Sequence, residues 1–340
     1  MQSVVNLPMA GEVIALAATL SFVLSNVIFR KCEHEASPLF INTFRTLIGV
    51  ITFFAIAAYS GIFHLIFSLS LELWIWLILS FVFGQVLGDT SYFMAQKELG
   101  PTKALAISMT YPLFSFLLSV LVLHQKFEWW IFVSFIFITS GVLVIAKAQI
   151  KESQEMSIIP DSINSNKTTI IARKSKKLHS GKKRELITPK KTILAIGFAI
   201  FASLGWAAGL VIIDYATNQI NNQLNIGASS SILGNVIRFP AAFLILSGIL
   251  IPKEKPKLST ISKQSYFLLI IASIIGTSLG AFLYTEAARV TGATIMSLLA
   301  SANPLFSIPI AYLINREKIS SLSFLGVIII VIGVIIIIIK

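Results

Sequence analysis

The chain has few charged residues for its length. Asp, Glu, Lys and Arg together make up 12% of its 340 residues, whereas hydrophobic residues make up 56%. A soluble domain carries about 25% charged residues, so this chain cannot cover its surface with groups that water solvates. The shortage of charge predicts a protein whose solvent is lipid, and it excludes an ordinary soluble domain.

Residues that hold metals or form cross-links are also scarce. Cys32 is the single cysteine, which excludes an internal disulfide and a cysteine-based metal cluster. The four histidines are scattered, and the sequence contains neither an H-E-x-x-H zinc motif nor paired Asp clusters for a magnesium diphosphate. We therefore predict no catalytic residue, no metal site and no cofactor, and we do not expect an enzyme.

What the chain does contain is a pattern that occurs twice, with a constant spacing of 192 residues. The first copy comprises Gly84, Gly88, Tyr92, Gly100 and the run Pro112-Leu113-Phe114-Ser115, and the second comprises Gly276, Gly280, Tyr284, Gly292 and Pro304-Leu305-Phe306-Ser307. Chance supplies some glycine matches in an apolar sequence, but not a four-residue run in register with them. The second half is therefore predicted to be a copy of the first.

Ten hydrophobic segments are each close to the roughly 20 residues that cross a bilayer core. They lie at about 11–29, 39–59, 71–95, 104–123 and 129–146, and at about 192–213, 228–251, 264–288, 293–314 and 321–339. Since each copy has five segments, an odd number, the second copy must enter the membrane with the opposite orientation. The predicted fold is an all-α membrane protein with ten transmembrane helices, arranged as two inverted five-helix repeats over residues 1–146 and 192–340.

The stretch between the repeats, residues 147–191, is polar and basic. It carries 12 Lys and Arg against 4 Asp and Glu, so it supplies 8 of the formal net charge of +12. Positive charge is typical of cytoplasmic loops beside an anionic leaflet. We therefore predict a disordered or loosely helical cytoplasmic linker and no nucleic-acid partner. Most Lys and Arg residues of the other loops fall on the same side of the membrane as this linker. Their distribution therefore predicts that both termini lie outside the cell.

The duplicated motif resembles the EamA-type family of drug/metabolite transporters. Each half carries G-x3-G-x3-Y, then a further Gly, then P-L-F-S. A turn with a charged residue precedes the last segment of each half, at Gln125-Lys126 and at Glu317-Lys318. Each half also has an Arg early in its second segment, Arg45 and Arg238. The resemblance covers nearly the whole chain except the linker, which is longer than is typical. Gln125 stands where the family usually has Glu.

The resemblance implies ten helices around a cavity between the halves. It also implies a secondary transporter in the cell membrane, moving a small metabolite, amino acid or drug by alternating access. For many members it implies termini in the cytoplasm, opposite to the orientation that the loop charges favour, and both orientations stay open. The expected partners are a small-molecule substrate, a coupling proton or ion, and membrane lipid, with the protein a monomer or a homodimer. The alternative function is a non-transporting membrane receptor or assembly protein that docks through its basic linker.

Polar and aromatic residues inside the hydrophobic segments are the candidates for substrate contact, because a polar group in hydrocarbon is costly unless it is paired or hydrated. The substrate-binding candidates are Asn26, Arg45, Gln85, Asp89, Tyr92, Tyr111, Trp206, Asn235, Arg238, Tyr284, Glu286 and Asn303. Gln85, Asp89, Tyr92 and Gln96 share one helix face, which predicts the polar wall of an aqueous cavity. The aromatic candidates are also compatible with simple packing or with anchoring at the membrane surface.

Small residues and prolines in the repeat predict close packing and bending. Gly84 with Gly88, and Gly276 with Gly280, are small-xxx-small pairs that let helix backbones approach, and cavity lining is the alternative role. Pro112 and Pro304 lie within hydrophobic segments, where each predicts a bend, used either for gating or as a static kink.

Two further predictions concern charged residues. Arg45 and Asp89 lie about 9 Å from the same end of their segments, counting about 1.5 Å per residue. Pairing would offset much of the cost of two charges at that depth, so we predict a direct or water-bridged pair. The alternative is that Arg45 extends to the lipid headgroups while Asp89 is protonated or hydrated on its own. Asp214 follows the sixth predicted segment and is expected at the membrane interface.

Overall fold

Helices form every regular element in the part of the chain that the structure describes. The structure is a computed structural model, and it describes residues 10–32, 35–126, 128–158, 189–253, 261–315 and 320–339. Eight helices in this part are long and apolar enough to cross a membrane. The sequence therefore predicted the helical class of the fold correctly.

The described part of the first half contains six helices and one short 3-10 segment. They are α1 (Ala10–Cys32), α2 (Pro38–Tyr59), the 3-10 segment Phe63–Ser68, α3 (Leu71–Leu99), α4 (Pro101–Ser108), α5 (Tyr111–Val122) and α6 (Trp129–Ile158). Serine side chains begin two of them: Ser37 accepts from the backbone N–H of Phe40, and Ser70 accepts from that of Leu73. Such caps satisfy N–H groups that have no partner inside the helix.

The second half has a matching series. It consists of α7 (Pro189–Leu224), α8 (Ser229–Lys253), α9 (residues 263–291), α10 (residues 293–301), α11 (Asn303–Asn315) and α12 (Ser321–Ile339). Gly292 separates α9 from α10 because its backbone is not helical. Ser262 caps α9 by accepting from the N–H of Ser265, and it lies 192 residues after Ser70, the cap of α3.

The two halves share distinctive backbone features at equivalent places. The helix α3 contains the π-helical segment Val82–Asp89, and α9 contains the π-helical segment Ser273–Gly280. Gly100 follows α3 with φ 82° and ψ 159°, and Gly292 follows α9 with φ 83° and ψ 159°. This backbone region is open almost only to glycine, which explains why glycine stands at this point in both copies.

Glycines let helices of opposite halves pack backbone to backbone. A Cβ on Gly209 of α7 would lie 2.9 Å from the Cα of Gly84 on α3, and a Cβ on Gly205 would lie 3.0 Å from the Cα of Gly88. In the equivalent place, Gly276 of α9 packs on Ser25 of α1. The first helix of each half thus packs on the third helix of the other, which interlocks the halves.

The last helices of the two halves also pack closely. Gly141 of α6 faces the backbone of Gly326 on α12, and Gly333 of α12 faces Ile138 of α6. The largest cluster of buried apolar side chains extends from this pair of helices to α7, through Leu210, and to α10, through Met296. The fold core therefore joins the halves rather than filling each half separately.

Pro112 and Pro304 differ from the prediction that they bend continuous helices. Pro112 lies in the first turn of α5, after a break at residues 109–110, and Pro304 is the second residue of α11, after a break at Ala302. A proline in the first turn removes an N–H that would have no helical partner anyway. In both halves the helix is interrupted just before the proline, so the proline begins a new helix instead of distorting a continuous one.

Two helix boundaries near the linker extend beyond their predicted limits. The helix α6 continues past residue 146 to Ile158, and α7 begins at Pro189 and continues past residue 213 to Leu224. Asp214 therefore lies inside α7 and is buried against other helices, with 4% of its surface exposed, and its predicted position at the membrane interface stays a prediction. The predicted disorder of the linker concerns mainly residues 159–188, which lie outside the described residues.

Candidate substrate site between the two halves

Aromatic rings from both halves lie in two contacting groups, Phe22 with Tyr284 and Trp206 with Tyr92 and Tyr111. We use the name aromatic groups for these five residues, which come from five helices. Ring centroids lie 5.8 Å apart for Phe22 and Tyr284, 6.1 Å for Tyr111 and Trp206, and 5.4 Å for Tyr92 and Trp206. The hydroxyl of Tyr111 donates to the backbone oxygen of Ser297 at 2.9 Å, which ties the first half to the second.

Asp89 lies beside the aromatic group that contains Trp206. The indole N–H of Trp206 donates to Asp89 Oδ1 at 2.8 Å, so the carboxylate on α3 is held by a ring on α7. Asp89 and Arg45 interact electrostatically. Arg45 Nε donates to Asn42 Oδ1 at 2.8 Å and makes no ion pair with a described carboxylate. The structure brings the predicted pair close together without direct contact, so a water-bridged pair stays a prediction.

Arg238 lies beside the other aromatic group, close to Tyr284. Its Nε donates to Ser80 Oγ at 2.9 Å, and its Nη1 donates to Asn235 Oδ1 at 2.8 Å. Asn235 Nδ2 donates to Thr285 Oγ1 at 3.2 Å. The side chain of Arg238 is thus oriented by helices α3, α8 and α9, and only 8% of the residue is exposed.

Glu286 is already satisfied by protein groups. Its Oε2 accepts from Ser231 Oγ and from Arg289 Nε, each at 2.8 Å, and Arg289 Nη2 forms an ion pair with its Oε1. Only 3% of Glu286 is exposed. This arrangement gives Glu286 the role of joining α8 to α9.

A second polar cluster braces the backbone at Gly292. Asp214 Oδ2 accepts from the N–H of Ala293 at 2.8 Å, which caps α10. Asn218 donates both to Asp214 Oδ1 at 2.8 Å and to the backbone oxygen of Arg289 at 3.1 Å. Gln125 comes from the other half, and its Oε1 accepts from Thr294 Oγ1 at 3.4 Å.

Gly100 has a different environment from its equivalent, Gly292. A Cβ on Gly292 would lie 2.9 Å from Gln125 Nε2 and 3.6 Å from Asp214 Oδ2, whereas a Cβ on Gly100 would meet no atom of a described residue within 4 Å. Gly100 and Gly292 therefore have the same backbone conformation but differ in how closely described side chains pack around them.

Three candidates predicted from the sequence remain outside these clusters. Asn26 and Gln85 are exposed, and Asn303 is partly buried at the start of α11. None of the three forms a hydrogen bond with a described residue through its side chain. On the predicted polar face of α3, Asp89 and Tyr92 both contact Trp206, whereas Gln85 makes no such contact.

Sequence reasoning missed several residues of the site. Asn42, Thr285 and Arg289 each bind a candidate residue. Asp214 and Asn218 bind backbone groups of Ala293 and Arg289, on either side of Gly292. One signal was present, because the pattern N-x-x-R occurs both at Asn42 and Arg45 and at Asn235 and Arg238. Asn218 also has a counterpart 192 residues earlier, the candidate Asn26, and Arg289 has the basic residue Lys97. Asp214 and Thr285 are brought into place only by long-range packing.

A shallow apolar cleft lies beside α5 and α6. It is lined by Pro112, Leu113, Phe116, Ile131, Phe132, Phe135, Thr294 and Leu298, none of which is charged. Within the described ranges, no three His, Cys, Asp or Glu side chains lie close enough to hold a metal ion.

The fold and the site define a class, that of multi-pass helical membrane proteins in which polar and charged side chains converge between interlocked halves. A model of the EamA-like transporter family matches residues 9–147 and 193–339. The chain therefore belongs to the EamA-like transporter family, whose members are membrane transporters of small molecules in a lipid environment. The resemblance read from the duplicated motif is confirmed.

Two relatives show the extent of this similarity. An uncharacterized transporter of Archaeoglobus fulgidus is 21% identical over 324 residues, which is 94% of this chain and 95% of the relative. A protein of known crystal structure has a TM-score of 0.70 at 13% identity, and the match covers 97% of this chain and 96% of that one. The second likeness concerns the fold alone.

Proposed function

We propose that this protein is a secondary transporter of the cell membrane that moves a small metabolite, amino acid or drug by alternating access between its halves. One observation carries the proposal: Gly100 and Gly292 have the same backbone conformation, but among the described residues only Gly292 has side chains packed around it. Equivalent hinges in unequal surroundings are expected of a duplicated protein in one of its two asymmetric states.

Ten membrane crossings in an inverted arrangement fit the helices. The apolar helical stretch Lys263–Ile310 runs for 48 residues, which would be about 72 Å long at 1.5 Å per residue, far more than the roughly 30 Å hydrocarbon core. Its break at Gly292 divides it into two crossings. The pair α4 and α5 occupies the equivalent place after Gly100, which supports five crossings in each half.

The mouth at Gly292 is the closed one in this proposal. Asp214 holds the first N–H of α10, and Gln125 contacts Thr294 from the other half. Opening requires that these bonds break while the Gly100 end becomes enclosed. A coupling proton or ion would act on the same charged groups, and Asp89 and Asp214 are the described carboxylates without an ion pair near the site.

The basic linker and the Gly100 end lie on the same side of the membrane, which we propose is the cytoplasmic side. A cysteine at Ser165 in a Cys32→Ser background tests the orientation with a thiol reagent that cannot cross membranes. The residue should stay unlabelled in intact cells. Rapid labelling would reverse the orientation without affecting the inverted repeat.

A cross-link across the closed mouth tests the mechanism. The variant carries Gln125→Cys and Thr294→Cys in a Cys32→Ser background, joined by a short bifunctional thiol reagent. Proteoliposomes are screened with labelled amino acids, carboxylates, sugar phosphates and cationic drugs to find a transported solute. Cross-linking should abolish its transport while its binding from the Gly100 side is retained.

The controls are the two single-cysteine variants treated with the same reagent, which should transport normally. Full flux through completely cross-linked protein would rule out alternating access and favour a pore. If the uncross-linked protein moves no solute of the panel but binds a cytosolic protein through its linker, the receptor or assembly function replaces the transporter.

A further inference from the structure

Arg238 is a buried cation without an anionic partner in the described protein. Its hydrogen bonds to described residues go to Ser80, Asn235 and Thr285, all of which are neutral. Burying a charge is unfavourable unless an opposite charge or several hydrogen bonds compensate it. The nearest candidate anion on α9, Glu286, is occupied by Arg289 and Ser231, so the protein itself does not neutralise Arg238.

One nitrogen of this guanidinium is left for a ligand. Nε and Nη1 are engaged by the protein, whereas Nη2 has no hydrogen bond to any residue in the described part of the chain. The engaged nitrogens fix the plane of the group, since Ser80 and Asn235 hold it from two helices. A guanidinium positioned in this way favours an oxyanion, because Arg recognises carboxylates through charge-assisted hydrogen bonds.

Tyr284 adds a second donor and an apolar wall. It interacts electrostatically with Arg238 and with Tyr111, and its hydroxyl makes no hydrogen bond to a described residue. Its ring packs edge-on to Phe22 with the centroids 5.8 Å apart. A ligand whose anionic group meets Arg238 and Tyr284 would therefore rest its body on this aromatic group.

Asp89 is too distant to recognise the same small ligand as Arg238. Arg238 contacts Ser80, which precedes Asp89 by nine residues on α3. Because most of this stretch is π-helical, the separation is about two helical turns, on the order of 10 Å along the helix. The amino and carboxylate groups of an α-amino acid are bonded to one carbon, so they cannot reach both side chains at once.

We propose that Arg238 and Tyr284 form the recognition site for the carboxylate of an organic acid with an apolar or aromatic body. The inference rests on the proposed transport function and names its substrate class. It selects organic monocarboxylates over amines and over neutral analogues.

The test measures equilibrium binding to the purified full-length protein in nanodiscs. The probes are phenylacetate, its neutral analogue phenylacetamide and the cation phenethylamine, which share one aromatic body. Wild-type protein should bind phenylacetate most tightly. Arg238→Gln should weaken phenylacetate binding by about tenfold or more, as expected when a charge-assisted hydrogen bond is lost, and it should change phenylacetamide binding little.

Further variants keep the test informative if Arg238→Gln does not fold. Tyr284→Phe keeps the ring and removes the hydroxyl, and it should weaken phenylacetate binding by a smaller factor. Arg238→Lys should retain part of the preference for phenylacetate. Lys263→Gln removes the same charge at an exposed place on α9 and should leave binding unchanged.

Three results would overturn the proposal: no detectable binding of phenylacetate, equal or tighter binding of phenethylamine or phenylacetamide, or loss of the preference in Arg45→Gln but not in Arg238→Gln. Binding in nanodiscs needs no flux, so these results are independent of the cross-linking experiment. Alternating access can therefore survive the failure of the carboxylate site, and the reverse also holds.

Discussion

Gly84 and Gly209 place the backbones of α3 and α7 in direct contact. A Cβ on Gly209 would lie 2.9 Å from the Cα of Gly84 and 2.7 Å from the backbone oxygen of Ser80. Because backbone atoms cannot rotate away as a side chain can, this contact tolerates glycine alone. It joins the halves within one turn of Ser80, the residue that orients Arg238.

Gly209→Ala should therefore destabilise the protein. Overpacking of this kind costs about 1–3 kcal/mol, and each kcal/mol lowers Tm by roughly 2–4 °C in proteins of 150–250 residues. Thermal unfolding in detergent measures the effect. Gly197→Ala is the matched control on the same helix, since a Cβ there meets no atom within 4 Å. Equal Tm values for the two variants would contradict the backbone contact.

Gly292→Ala and Gly100→Ala should both impair transport. A side chain at φ near 83° is strained by about 1–3 kcal/mol, and at Gly292 the new Cβ would also crowd Gln125. We expect a larger fall in Tm for Gly292→Ala than for Gly100→Ala. Adding Gln125→Ala to Gly292→Ala should raise its Tm only to that of Gly100→Ala, because it relieves the crowding but not the backbone strain. If both variants transport like wild type, the two glycines are not the hinges.

Asp214→Ala should loosen the closed mouth. It removes the acceptor for the N–H of Ala293 and for Asn218, and the loss of a helix cap costs about 0.5–2 kcal/mol. A cysteine at Thr291 in a Cys32→Ser background should then react faster with a water-soluble maleimide. Asp214→Asn keeps an acceptor oxygen and should show a smaller increase. Unchanged reactivity in Asp214→Ala would show that this cap does not hold the mouth closed.

Arg45 and Asp89 should be coupled without touching directly. In a double-mutant cycle with Arg45→Gln and Asp89→Asn, the effects on stability and transport should deviate from additivity by about 0.5 kcal/mol or more, as for residues in one charged network. The cycle of Asp89→Asn with Arg238→Gln is the control. The free-energy changes of substitutions at such distant sites should be additive within about 0.3–0.5 kcal/mol. Additive effects in the first cycle would remove the pair from the mechanism.

Local and compositional properties were readable from the sequence. The shortage of charge fixes lipid as the solvent, and in lipid a backbone must satisfy its own hydrogen bonds, so helices follow. The constant spacing of 192 residues revealed that Gly100 and Gly292 are equivalent, and it pointed to the family. Arg45, Asp89, Trp206 and Arg238 were found because a polar or large aromatic group inside an apolar segment stands out on its own.

Only the tertiary structure decided which of these residues meet. Ser80 and Arg238 are 158 positions apart, and Asp214 and Ala293 are 79 apart, so no local pattern connects them. Asp214 was expected at the membrane interface because the apolar run ends there, and only the structure shows that α7 continues and that packing buries the carboxylate against α10. The unequal environments of Gly100 and Gly292 are likewise invisible in a repeated sequence, because they depend on how the halves close on each other and not on the residues of either half alone.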